Sequence, residues 1–259
     1  MKTAIYYLSA TGNSLSVAKK IASAIEDTEL HSIPDELAAE HFSTDAETVG
    51  LVFPLHYFGM PMLVEDYLRR LDLTSARYVF AVVTCGMPCL GSCFHDLSAL
   101  LGAKGKSLNA SWYIRMISTY IKMRDIPSAA TVEKALAAAD KKTDNIINTV
   151  IHHGHAATSE FFAWPLRSVH KKWRKKRETL ADCFTADTAQ CTGCGTCEKI
   201  CPAGNIMLVD DKPRWRKNCT ECLACLHACP QKAINAGEKT KTCRRYRHPD
   251  VTTAELLRK

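Results

Sequence analysis

The chain has 259 residues, 46% of them hydrophobic, thirteen cysteines and a net charge of +7. That is enough apolar material for one large domain or two modest ones. No apolar run approaches the ~20 residues that cross a membrane, and the opening stretch MKTAIYYLSATGNS has no signal-peptide pattern, so a cytoplasmic protein without membrane insertion is expected. The charge is unevenly spread: residues 1–113 carry 8 Lys+Arg against 12 Asp+Glu, net −4, and the remainder 26 against 15, net +11. In a reducing compartment, clustered cysteines read as metal ligands, not disulfides.

Ala4 to Leu8 form an apolar run, predicted to be a buried strand. A polar loop follows from Ser9 to Ser14. Then Leu15, Val17, Ala18, Ile21, Ala22 and Ile25 recur with helical spacing. A strand, a hydroxyl-rich loop and a helix make a phosphate site, because helix N-terminal amides and Ser/Thr hydroxyls point at an anion. The loop has no lysine. It lacks both the triphosphatase pattern and the G-x-G-x2-G dinucleotide pattern. A monophosphate held without lysine fits flavin mononucleotide, FMN. The motif S-x-T-G-N-S resembles the phosphate loop of the flavodoxins. That resemblance implies phosphate binding by Ser9, Thr11, Asn13 and Ser14, with Gly12 permitting the close turn.

The next elements keep the alternation. VGLVFPLHYFGMP, from Val49, reads as a buried strand running into a Pro/Gly/aromatic loop. MLVEDYLRRLDL has helical apolar spacing. RYVFAVVTCGMPCLG, from Arg77, is another strand and loop, FHDLSALLGA a helix and KSLNASWYI a last strand. Alternating β and α predicts a parallel sheet covered on both faces, with ligands at the carboxyl ends of the strands. In flavodoxin-like proteins the second and third such loops sandwich the isoalloxazine. The resemblance assigns that role to Pro54, Leu55, His56, Tyr57, Phe58 and Gly59, and to Thr84, Cys85, Gly86 and Gly91. Tyr57 or Phe58 would stack on the ring, His56 would donate to it, and Gly59 or Gly86 would offer backbone groups. The plainer reading of any one of these residues is loop packing. Cys85, Cys89 and Cys93 have a regular spacing, but with no fourth ligand nearby they read as space-filling residues rather than a third cluster or a redox thiol pair.

Residues from Thr131 predict one long helix that closes the sheet. His170 to Arg177 then holds six Lys/Arg in eight residues. The segment reads as a solvated helix face or a docking surface for an acidic redox partner; no recognition motif supports nucleic-acid binding.

Cys191, Cys194, Cys197 and Cys201 form C-x2-C-x2-C-x3-C-P, and Cys219, Cys222, Cys225 and Cys229 repeat it. Thiolates are soft ligands for zinc or iron–sulfur clusters. Three thiols on one tight loop suit three corners of a cubane better than a zinc knuckle. The region resembles the bacterial two-cluster ferredoxins, in which the fourth cysteine of each run ligates the other cluster. One [4Fe-4S] cluster then takes Cys191, Cys194, Cys197 and Cys229, and the second takes Cys219, Cys222, Cys225 and Cys201. Ile206 and Ile234 are expected to pack over the clusters. NIMLVDDKPRWRKN predicts two short strands about a turn at Asp210–Lys212. Cys183 and Cys243 are read as non-ligands, and the tail as packing back on the body with a short terminal helix from Thr252 or Thr253.

The whole chain resembles the flavodoxin–ferredoxin fusion proteins of anaerobic bacteria. The expected fold is α/β: a flavodoxin-like, doubly wound, five-stranded parallel sheet plus a small α+β two-cluster ferredoxin domain. The expected units are 1–113, a basic helical linker 114–182, the cluster domain 183–240 and a tail 241–259. The expected function is electron transfer between FMN and two [4Fe-4S] clusters, exchanging electrons with a redox protein or a small-molecule acceptor or donor. The alternative is an FMN-dependent reductase of a quinone, nitro or unsaturated compound, fed by the clusters; a substrate pocket over the flavin would favour it.

Overall fold

The computed structural model describes residues 1–87, 91–161 and 163–258. Its larger half begins with β1 (Thr3–Tyr7), α1 (Asn13–Ala24), β2 (Thr28–Ser32), α2 (Ile33–Ala38) and β3 (Thr48–Pro54). It continues through α3 (Met62–Arg70), β4 (Tyr78–Cys85), α4 (Cys93–Gly102) and β5 (Ala110–Arg115). The strands lie in the order β2-β1-β3-β4-β5, every pair parallel. This is the flavodoxin-like doubly wound order, and its switch point falls between β1 and β3.

Alternation along each strand divides the core. Tyr6, Leu51, Phe53, Val79, Ala81 and Val83 pack with Leu63, Tyr67 and Leu68 of α3 and Leu97 and Leu101 of α4. Their neighbours Ile5, Val52, Phe80, Val82 and Ile114 face the other way, against Val17 and Ile21 of α1. The predicted long helix is α5 (Ala129–Ile151), whose Ala139, Ile146 and Val150 complete this second layer. β2 was not evident from pattern. Its sequence TELHS is polar and half-exposed, and pairing with β1, Thr3 opposite Thr28 through Tyr7 opposite Ser32, makes it a strand.

Next come α6 (Ala163–Arg174) and the cysteine-rich half: β6 (Phe184–Ala186), α7 (Thr196–Lys199), β7 (Ile206–Val209), β8 (Lys212–Trp215), α8 (Ala224–Ala228) and β9 (Ile234–Ala236). β7 and β8 form the predicted hairpin, with Asp210 and Asp211 at φ 49° and 57° in its turn. β6 pairs antiparallel with β9. Ile200, Ile206, Leu226, Ile234 and buried cysteines of both runs share its core. The tail crosses back to the larger half, where His248 N donates to Thr11 O at 2.8 Å, and closes in a 3₁₀ turn at Ala254–Leu256. No helix among the described residues is long and apolar enough to cross a membrane.

Candidate functional site

The carboxyl ends of β1, β3 and β4 open into one cavity of about 310 Å³. The loop after β1 contributes Ser9, Thr11, Asn13 and Ser14. α1 starts here with no acidic residue in its first turn, so the positive end of a twelve-residue helix faces the cavity unopposed. Ser14 Oγ and Thr84 Oγ1 are 2.8 Å apart, tying the first loop to β4. Gly12 has φ +97°, and a Cβ there would lie 2.8 Å from His248 Cβ, so this turn admits little but glycine. The amide of Asn13 braces the loop: Nδ2 donates to Ile117 O at 3.1 Å, and Oδ1 accepts from Tyr246 Oη at 2.7 Å.

The loop after β3 contributes Pro54, Leu55, His56, Tyr57 and Phe58. Tyr57 and Phe58 hold positive φ, 46° and 69°, a conformation that costs bulky residues energy and clusters at ligand sites. The Tyr57 ring stacks on Trp173 of α6, centroids 5.3 Å apart and planes 10° apart. His56 Nδ1 is buried without a partner among the described residues. Burial, helped by nearby His170, lowers the imidazole to about 4, so it is neutral at pH 7 and retains an unused polar atom at the cavity wall. Gly59 lets α6 approach, since a Cβ there would stand 2.6 Å from the His170 ring. His170 Nδ1 lies 3.1 Å from Tyr57 O, to which it donates.

The third loop supplies Thr84, Cys85 and Gly86. Gly12, Gly59 and Gly91 lie behind the cavity wall, Gly91 beside Phe58, whose carbonyl accepts from Ser92 N at 3.1 Å. Cys89 lies outside the described residues. Cys85 and Cys93 are buried in the apolar core that includes α3 and α4, as filling residues are.

The remaining wall was not anticipated. It comes from Ile117 to Tyr120 after β5, from Trp173, and from Thr220, Glu221 and Cys222 in the second cysteine run. Glu221 is buried, and its carboxylate is a junction. Tyr120 Oη donates to it at 3.0 Å and Trp173 Nε1 at 3.0 Å, and Lys122 Nζ forms an ion pair with it. Burial pulls the Lys122 ammonium down, and the hydrogen bond and charge of Glu221 more than reverse this, holding it above its ordinary value. The same Nζ reaches Cys183 Sγ at 3.3 Å. One signal was available in the sequence: aligned run on run, Glu221 occupies the position of Gly193.

The run cysteines gather in two places. Cys191, Cys194 and Cys197 line one small cavity together with Cys229 from the far run, and Ile234 closes it. Cys201 neighbours Cys219, Cys222 and Cys225 closely enough for its charge to act on each of their thiols. Burial pushes Cys197 and Cys222 up to about 11 and Cys219 to about 12, and Cys225 also goes well up. A hydrogen bond from the Thr196 side chain lowers Cys194. Buried thiols of this kind ionise when a cation replaces their protons, the condition a metal centre meets. Among the described residues no three His, Cys, Asp or Glu side chains converge as ligands of a single ion.

A family model described as a 4Fe-4S dicluster domain matches residues 190–234. Residues 190–234 are an iron–sulfur dicluster domain. Over 45 residues the chain is 49% identical to a component of the ion-translocating oxidoreductase complex of Methanosarcina acetivorans; the match covers 17% of this chain and 17% of that protein. Among solved structures, the rubredoxin oxygen:oxidoreductase of the anaerobe Desulfovibrio gigas overlaps 57% of this chain and 37% of its own, with 17% identity and a TM-score of 0.35. An FMN-dependent NADH-azoreductase of Bacillus anthracis, solved with FMN, overlaps 57% and 98%, with 13% identity and a TM-score of 0.36. The assignment of the larger half as flavodoxin-like rests on its strand order. The chain thus joins a flavodoxin-like fold to a dicluster domain, a redox-module architecture.

Proposed function

We propose that this chain carries electrons between one FMN and two [4Fe-4S] clusters. One observation carries the reading: a single cavity is walled both by the three strand-end loops of the flavodoxin-like sheet and by Cys222 of the dicluster domain. A flavin there would touch the loop that holds a cluster. The residues present suit the group. Ser9, Thr11 and Ser14 with the start of α1 offer hydroxyls and the helix dipole to a phosphate. The unpartnered His56 Nδ1 offers one polar contact, and the aromatic second loop an apolar wall.

For the clusters, we assign Cys191, Cys194, Cys197 and Cys229 to one and Cys219, Cys222, Cys225 and Cys201 to the other. The shared cavity of the first four and the mutual proximity of the second four support this. When bound, FMN exchanges one or two electrons and each cubane one, so the assembly would convert between paired and single electrons. The division into 1–113, 114–182, 183–240 and 241–259 is proposed as functional, although α5 of the second segment packs on the sheet of the first.

The test is anaerobic purification with iron, acid-labile sulfide and flavin counted per chain. About eight iron, about eight sulfide and about one FMN are expected. Zinc in place of iron, with no flavin, would overturn the reading.

A further inference from the structure

The basic segment contributes to the cavity through one residue, Trp173. α6 turns His170 and Trp173 inward. Arg167, Arg174 and Arg177 are paired with Asp96, Glu65 and Asp66. No ion pair among the described residues engages Lys171, Lys172, Lys175 or Lys176, and all four are exposed. Lys171 and Lys172 lie on the outward side of α6, and Lys175 and Lys176 follow its end, on the segment that brings Trp173 to the cavity wall.

The open edge of that cavity is apolar. Tyr57, Met87 and Met123 line it and are 42%, 53% and 70% exposed. Next to Met123 stands exposed Arg124, and the Nζ of exposed Lys239 donates to the Met123 carbonyl. Around Met123 and Lys239 the carboxylates are paired, Asp125 with Arg244, Glu238 with Lys241 and Glu221 with Lys122; Glu178, beyond the lysines, is exposed and has no ion pair among the described residues. An apolar centre within a surround of unpaired cations is the anatomy of a protein-binding surface for a partner of opposite charge. Methionine at its centre adapts to the facing surface.

We propose that this rim docks an acidic electron-carrier protein at the cavity mouth. The proposal rests on the reading of the cavity as a redox site. The exchange moves one electron: the carrier's reduced iron–sulfur group is oxidised and the redox groups of this chain are reduced, with no bond formed between the partners. An anionic membrane fits less well. A surface-bound helix needs an apolar face of its own, whereas α6 spends His170 and Trp173 on the interior and presents Ser168, Lys171 and Lys172 outward around Trp164 and Val169.

The experiment titrates the full chain, its iron, sulfide and flavin already counted, with a purified acidic two-cluster ferredoxin in a calorimeter. Between about 0.01 M and about 0.15 M ionic strength the screening length falls from about 30 Å to about 8 Å, and the affinity should fall about tenfold or more. At low salt, K171E/K172E/K175E/K176E should lose about tenfold or more. Met123→Ala should weaken binding about threefold and leave the salt dependence intact. K141E/K142E, on exposed positions of α5, should bind as the parent does. Equal losses in both lysine variants, an unaffected quadruple variant, or a fully loaded chain that does not bind would each overturn the proposal. So would binding to phosphatidylglycerol vesicles in place of the ferredoxin. Salt-sensitive binding by a chain without iron or flavin would leave the docking surface standing and sink the redox reading instead.

Discussion

Glu221 stands where the first cysteine run has Gly193, and both hold positive φ, 54° and 72°. Glycine takes that conformation freely, and a glutamate held there costs about 1 kcal/mol or more. The side chain offsets this by anchoring Tyr120, Lys122 and Trp173. Glu221→Gly would give the second loop the residue of its twin. If the backbone alone mattered, stability would rise; instead a loss of about 2 kcal/mol is expected, because Lys122 and Trp173 lose a buried acceptor. Denaturant midpoints of the two proteins decide between these. His170 supplies a pH prediction. Burial lowers its pKa from 6.5; the Tyr57 carbonyl and, at longer range, Asp96 and Glu65 oppose this, and Arg174 adds to it. The folded state therefore keeps it neutral, while the unfolded chain takes up a proton below about 6.5. Its contribution is complete above that pH and is lost as the pH falls below it. His170→Asn should reduce the difference in urea midpoint between about pH 7.5 and about pH 5.5. The slope that remains belongs to other buried imidazoles, His56 among them.

α6 is an element whose position depends on a missing side chain. It packs over the second loop because Gly59 presents no Cβ to His170. Gly59→Ala would place a methyl 2.6 Å from that ring. A destabilisation of about 2 kcal/mol is expected, together with weaker flavin retention, because Trp173 would move off Tyr57 and the cavity wall. The double variant Gly59→Ala, His170→Ala should recover part of the retention, since removing the ring removes the clash. Flavin fluorescence released on dilution measures this. No recovery would mean that the loop backbone, and not the helix contact, needs the glycine. The tail is a second positioning element: Tyr246 and His248 hold the first loop through Asn13 and Thr11, 233 residues away in the case of Asn13 and Tyr246.

For the whole molecule, a cavity walled by both halves couples their stabilities. A ligand that binds the folded chain at about 100 times its Kd stabilises it by about 2.7 kcal/mol. FMN added to flavin-depleted protein should therefore raise the unfolding temperature of the sheet and the dicluster domain together. Scanning calorimetry would show one transition moving. If the sheet shifted and the dicluster domain did not, the flavin would not reach the wall formed by Thr220 to Cys222.

Local patterns carried much of this protein in its sequence. A five-residue apolar strand before a hydroxyl loop and a helix, and four thiols at spacings of three, three and four, are legible because each signal lies within one or two turns of chain. The ferredoxin likeness of the doubled run also implied that Cys229 goes with the first run, with whose Cys191, Cys194 and Cys197 it lines one small cavity. What stayed hidden was long-range. β2 is a strand through its pairing with β1, and its own five residues do not say so. Trp173 looked like one aromatic in a charged run, and its indole reaches Glu221 across 48 residues. Sequence by itself determined the spacing of the thiols and the place of the hydroxyl loop between strand and helix, because residue type and order along the chain are covalent facts. Tertiary structure alone decided that the two halves share one cavity, because that depends on which buried surfaces meet when the chain packs.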